Sequence, residues 1–143
     1  MSKVNPYLNF NGNTEEAFVF YKSVFGGEFA FLQRFKETPF GDKMADADKE
    51  KIMHIALPIG EGNMLMATDV IESMGQKLSE GNNFSLCISP GSKDEANQFF
   101  NALSTGGKIT MPLEKAIWGA YFGMLTDKFG IQWMISYDEK PAE

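Results

Sequence analysis

Two stretches of the chain carry apolar residues at helical spacing. Ala17, Phe20, Tyr21 and Val24 fall at i, i+3, i+4 and i+7, and Ala96, Phe99, Phe100 and Leu103 repeat the pattern. The spacing predicts an amphipathic helix in each place. Thr14 stands where it can cap the first helix, ahead of an acidic first turn. Ser92, with Glu95 three residues on, forms a capping box for the second. Gly26 and Gly106 are natural stops. The two stretches are also copies of one another. Each runs acidic, Glu, Ala, two residues, two aromatics, an aliphatic and a Gly pair, with an offset of 79 at the Glu (16 to 95) and 80 at the Gly pair (26 to 106).

Partly alternating segments surround each helix and predict strands. Asn5–Phe10 precedes the first helix and Asn83–Ile88 the second. Glu28–Phe35, Ile52–Ile59 and Met64–Thr68 follow the first, with the turn Gly60-Glu61-Gly62-Asn63 joining the last two into a hairpin. Lys108–Met111, about Ala120–Thr126 and Ile131–Tyr137 follow the second, with Asp127-Lys128-Phe129-Gly130 as the corresponding turn. Both halves therefore read β-α-β-β-β. The expected fold class is α+β, a single domain over 1–143. Module one covers about 1–71, a linker about 72–82, and module two about 83–138. The polar stretch Glu37–Lys51 reads as a surface loop, and Asp138–Glu143 as a frayed tail.

Composition narrows the function classes. The chain has 143 residues, 43% hydrophobic and with 13 Phe, which suits one domain with a real core and excludes a largely disordered chain. No apolar run approaches the roughly 18–20 residues of a membrane span. The first residues lack the apolar segment of a signal peptide. Lys and Arg number 13 against 19 Asp and Glu, a formal net charge of −6, and no basic run occurs. Nucleic acid and anionic membranes are therefore not expected partners. The single cysteine, Cys87, excludes an internal disulfide and fits a reducing, cytoplasmic compartment. Set between Leu86 and Ile88, it reads as a buried, inert thiol. With one His and one Cys, a structural zinc site is not expected. No Gly-x-Ser-x-Gly or Cys–His signature is present. Asp46 and Asp48 read as a solvated turn.

The ordered motifs Pro6-Tyr7-Leu8-Asn9-Phe10-Asn11-Gly12, Glu16-Ala17 with Phe20-Tyr21, Phe25-Gly26-Gly27, Met53-His54 with Leu57, Met66 with Asp69, Trp118-Gly119 with Tyr121 and Gly123, and Asp127-Lys128-Phe129-Gly130-Ile131-Gln132-Trp133 span nearly the whole chain. Together they resemble the vicinal oxygen chelate superfamily, which includes glyoxalase I, extradiol dioxygenases and bleomycin-binding proteins, and within it the PhnB-like branch. The resemblance implies two modules forming cupped mixed sheets that enclose a cleft. It also implies metal ligands on the first and last strand of each module. Carried over, those positions fall on Asn5 (Pro6 with a one-residue slip), Met66, Asn83 and Met134. Thioethers and neutral amides are poor ligands for hard divalent ions, so no metal and no cofactor is expected. His54 falls on a central strand, away from those positions. It reads as a structural or pocket hydrogen-bonding residue, with acid–base work as the alternative. A nucleotide-type S-adenosylmethionine site is not expected, because Gly26-Gly27 and Gly106-Gly107 follow helices rather than a first strand.

The methionines and aromatics suggest what the cleft would hold. Met64, Met66, Met124 and Met134, with Trp118, Tyr121, Phe122 and Trp133, fall on or beside the strands expected to line it. The expected ligand-binding set is Tyr7, His54, Met66, Asn83, Ser85, Trp118, Tyr121, Gln132 and Met134, an apolar surface with a few orienting polar groups. One reading is a metal-free protein binding a small organic ligand. A second is an enzyme of the superfamily (lyase, isomerase or dioxygenase) with a site shifted to His54 and a carboxylate such as Glu114 or Asp69. A third is a structural or regulatory dimer. A homodimer is expected under each, because helices would cover only the convex side of each sheet and leave the apolar concave side needing a ligand or partner.

Overall fold

The computed structural model describes residues 2–139. The first residue of the N-terminal reading and the end of the expected tail, from residue 140 on, lie outside them. The chain falls into two compact units that divide between Ser79 and Glu80. The first holds β1 (Tyr7–Phe10), α1 (Thr14–Phe25), β2 (Phe31–Arg34), a one-turn α2 (Asp46–Lys49), β3 (Ile52–Ile59) and β4 (Asn63–Asp69). The second holds β5 (Leu86–Ile88), α3 (Lys93–Ser104), β6 (Lys108–Lys115), β7 (Ala120–Thr126) and β8 (Gln132–Asp138). Their sheets run β1-β4-β3-β2 and β5-β8-β7-β6. In each, the strand before the helix lies parallel to the last strand of the unit, and the other pairings are antiparallel. The fold is α+β with two β-α-β-β-β modules, as the repeat predicts.

Each sheet buries one face under its helix. In the first unit Leu8, Phe10, Ile55, Leu57, Leu65 and Ala67 are buried, as are Ala17, Phe18 and Tyr21 of α1. The buried stripe of α1 is thus Thr14, Ala17, Phe18 and Tyr21. It is rotated from the expected one, and Phe20 and Val24 are only half-buried. In the second unit Ala96, Phe100 and Leu103 of α3 are buried, with Leu125, Trp133 and Ile135 of the sheet. Gly123 on β7 makes that approach possible: a Cβ there would lie 2.6 Å from the Phe100 ring and 2.9 Å from Leu113 Cα.

The helix starts differ in how their free N–H groups are met. Ser92 caps α3 as expected, its Oγ accepting from Glu95 N at 3.0 Å. Glu95 answers through Gly91 N at 3.1 Å, one residue earlier than a capping box requires. Thr14 does not cap α1. Its N–H and hydroxyl instead donate to Asp69 Oδ1 at 3.0 and 2.6 Å, so a carboxylate at the end of β4 takes the capping role.

Other local differences have plain causes. The segment expected as an open loop over Glu37–Lys51 contains short 3-10 turns and α2. Buried Phe35 anchors it, and ion pairs Lys36–Glu50, Lys49–Asp46 and Lys51–Asp48 tie it together. Strand β5 begins only at Leu86, leaving Asn83 and Ser85 before it, whereas β6 runs on to Lys115 through two register shifts. Cys87 is exposed, not buried, because the parity of β5 turns Leu86 and Ile88, rather than the thiol, toward the helix-covered side. Among the described residues no helix is long and apolar enough to cross a membrane.

Candidate functional site

Directly opposed residues in a sheet point to the same side. The helix-free face of the first sheet is therefore set by its register, which brings Tyr7, Met66, Ala56 and Phe31 into one row across β1, β4, β3 and β2. His54, two residues before Ala56 on β3, shares that face and stands opposite Gln33. The rings meet there. Tyr7 stacks on His54 with centroids 5.6 Å apart, and Phe31 tilts against it at 5.4 Å. The Tyr7 hydroxyl lies 3.1 Å from His54 Nδ1. Partial burial raises the Tyr7 phenol above its ordinary range, so it keeps its proton at neutral pH. Where the phenol donates to Nδ1, the proton of the imidazole sits on Nε2. The face stays open: Tyr7 and Phe31 are 45% and 47% exposed, and His54, Met64 and Met66 are half-buried. It therefore offers flat rings, two thioethers and one imidazole to a visitor.

Of the other expected residues, Met134, Gln132 and Tyr121 are distributed over both faces of the second sheet, while Asn83, Ser85 and Trp118 lie outside its strands. Met134 lies on the helix-free face, opposite Cys87 on one side and Met124 on the other. Gln132 shares that face, but its amide donates to Phe84 O at 2.7 Å and pins the chain entering β5. Tyr121 points to the opposite side, where its hydroxyl donates to Asn97 of α3 at 2.6 Å and Lys93 caps its ring. Trp133 is buried on the helix side, its Nε1 donating to Asp127 Oδ2 at 2.8 Å. Neither Tyr121 nor Trp133 joins Met124 and Met134. Trp118 sits at the β6–β7 turn, 63% exposed, edge-on to Phe122. Phe31 and Gln33 were not anticipated from sequence. Their signal lies in the pairing register of β2, which periodicity alone does not supply.

The metal positions carried over from the superfamily do not make a hard-cation site. Asn5 Oδ1 accepts Met64 N at 3.2 Å, Asn83 lies before β5, and Met66 and Met134 offer thioethers. Among the described residues no three His, Cys, Asp or Glu side chains cluster. Asp69 is structural: buried, it accepts from Gly12 N, Thr14 N and Thr14 Oγ1 through Oδ1, and from Ile52 N through Oδ2 at 2.8 Å. Glu114 is exposed on β6 opposite Phe122. A recess of about 460 Å³ is lined by Gly12, Glu15, Arg34, Glu50, Lys51 and Asp69. Arg34 there is bound by Glu15 at 2.6 Å, and that bond holds the Glu15 carboxyl below its usual range.

Paired β-α-β-β-β modules of this topology define the glyoxalase/bleomycin resistance/dioxygenase class of folds, and the chain is a PhnB-like member of it. The pattern of the family described as 3-demethylubiquinone-9 3-methyltransferase matches residues 2–136, and the chain belongs to that family. It is 31% identical over 144 residues to protein YjdN of Escherichia coli K12, with 93% of each chain covered. Protein PA1353 from Pseudomonas aeruginosa is 38% identical with a TM-score of 0.86, over 98% of this chain and all of that one. A PhnB protein from Bacillus cereus, called a 3-demethylubiquinone-9 3-methyltransferase, is 26% identical with a TM-score of 0.76, over 95% of this chain and 99% of that one.

Proposed function

We propose that the protein binds a small, flat organic molecule on the helix-free face of its first sheet, without a metal. The observation that supports this reading is the Tyr7–His54 pair, hydrogen-bonded and stacked, beside Phe31 and Met66 on an open face. Aromatic rings stack on aromatic rings, thioethers pack against them, and one imidazole fixes orientation. Tyr7, His54 and Met66 belong to this site. Asn83, Ser85, Trp118, Tyr121, Gln132 and Met134 are not assigned to it. Methyl transfer, named in the family's description, gains no support from the glycines, because Gly26 and Gly106 follow helices and open no Gly-rich turn after a strand.

The test is a thermal-shift and calorimetric titration with mono- and bicyclic aromatics, beginning with 2-naphthol, whose ring can stack and whose hydroxyl can bond the imidazole. Binding should weaken about tenfold in Tyr7→Ala and His54→Ala, the loss expected for roughly 1.4 kcal/mol. A panel without any shift overturns the reading. Elemental analysis of protein purified without chelator should find no stoichiometric divalent metal. Finding one would favour instead an enzyme of the superfamily acting through His54. We also propose a homodimer, since an open apolar face favours a partner. Light scattering at a stable 16.0 kDa would refute it.

A further inference from the structure

The second sheet carries, at the place where the first has Tyr7, Met66, Ala56 and Phe31, a row made only of sulfur side chains. Cys87 on β5 is opposite Met134 on β8, Met134 is opposite Met124 on β7, and Met124 is opposite Met111 on β6. We infer that this row is a binding site for one soft monovalent cation, Cu(I) or Ag(I), held by Cys87, Met134 and Met124 with Met111 as a further donor.

The geometry allows it. Neighbouring strands lie about 4.8 Å apart, so the Cβ atoms of Cys87 and Met124 flank that of Met134 across roughly 10 Å. The two thioethers, each on an unbranched flexible stem, can swing toward the thiol and share an ion between adjacent strands. The chemistry selects the ion. Thiolate and thioether are soft donors that favour Cu(I), while hard divalent ions want carboxylate, imidazole and water. The rows on either side are Gln132–Thr126–Lys108 and Ser136–Phe122–Glu114, so the nearest carboxylate is one pair further along. Binding releases the Cys87 proton to solvent as the S–metal bond forms, and no electron is transferred. One thiolate and one monovalent ion make a neutral site, which suits a face flanked by buried Phe122; a divalent ion would leave a net positive charge there. Methionines used only to fill a core would be enclosed. Here Met124 and Met134 are half-buried, Met111 is 42% exposed, and Cys87 is exposed.

The test uses the full chain, anaerobically, with Cu(I) presented as its bicinchoninate complex. The protein should withdraw one equivalent. Met124→Leu and Met134→Leu, which nearly conserve volume, should each weaken uptake about 10- to 100-fold with the circular dichroism spectrum unchanged. Cys87→Ser should abolish it. In the wild type, one equivalent of Ag(I) should shift the methyl resonances of Met124 and Met134 together and leave those of Met64 and Met66 in place. This readout does not depend on any variant folding. Failure to withdraw Cu(I) overturns the inference. So does uptake that depends on Cys87 but is indifferent to both methionines, since a thiol alone would then be the ligand. The aromatic site of the first unit is read separately, by 2-naphthol binding, which the methionine variants should retain.

Discussion

The two units share one topology and differ in what they show on the open face. In the first, Tyr7, His54 and Phe31 gather rings around an imidazole. In the second, the corresponding row is Cys87, Met134, Met124 and Met111. The buried side keeps two shared positions: Ala17 and Ala96, then Tyr21 and Phe100, occupy equivalent places on helices of equal length. Core positions are constrained by close packing, so a change at one is matched at another: Gly123 stands where the first unit has Ile55, and the Phe100 ring takes the space. Open-face positions carry no such constraint, and the two copies have diverged where a ligand would be met.

The units also each bury one aspartate, with opposite reach. Asp69 gathers donors from Gly12 and Thr14, more than 50 residues away, and from Ile52. Asp127 serves its own turn, accepting from Phe129 N, Ile131 N and the Trp133 indole. The largest expected effect follows. Asp69→Ala strands several buried donors and should cost about 3–5 kcal/mol in urea unfolding, against about 1–3 kcal/mol for Asp127→Ala. Equal costs would break the distinction between a long-range pin and a local one.

Packing between helix and sheet gives the next test. Gly123 and its counterpart Ile55 both face a helix, but a Cβ at 123 meets Phe100 and Leu113 at once. Gly123→Ala should destabilise by about 1–3 kcal/mol through overpacking. Ile55→Val removes a methylene in a filled site and should cost about 0.5–1.5 kcal/mol. A neutral Gly123→Ala would mean that the Phe100 ring and the β6 backbone at Leu113 give way without cost. On the open face, Tyr7→Phe keeps the ring and loses only the bond to His54, so stability should fall by no more than about 1 kcal/mol. The Nδ1 resonance of His54 should move, and Cu(I) uptake by the second unit should not.

The smallest effect concerns Glu15. The Arg34 hydrogen bond lowers its pKa, so the stability it adds is present above the unfolded-state value and is lost as pH falls through the lower folded value. Glu15 is half exposed, and the ion pair is worth no more than about 1 kcal/mol after screening by solvent. The stability difference between wild type and Glu15→Gln should therefore be modest at neutral pH and shrink on acidification. Cys87→Ser, on the other unit, should show no such trend.

The sequence by itself determined the modules, because a repeated helix with its Gly stop and two hairpin turns is written in local spacing. It also determined the Ser92 cap, whose acceptor and donor lie three residues apart. What only the tertiary structure decided depends on partners distant along the chain. Asp69 replaces Thr14 as the cap of α1 because β4 ends beside the helix start. Phe18, not Phe20, joins Thr14, Ala17 and Tyr21 in the buried stripe of α1. The side chosen by each strand residue was the least legible feature. Strand alternation has a period of two, so a pattern with apolar residues on both faces reads equally well in either parity. Only pairing register sends Trp133 and Tyr121 under α3 and leaves Cys87 in line with three methionines on the open side.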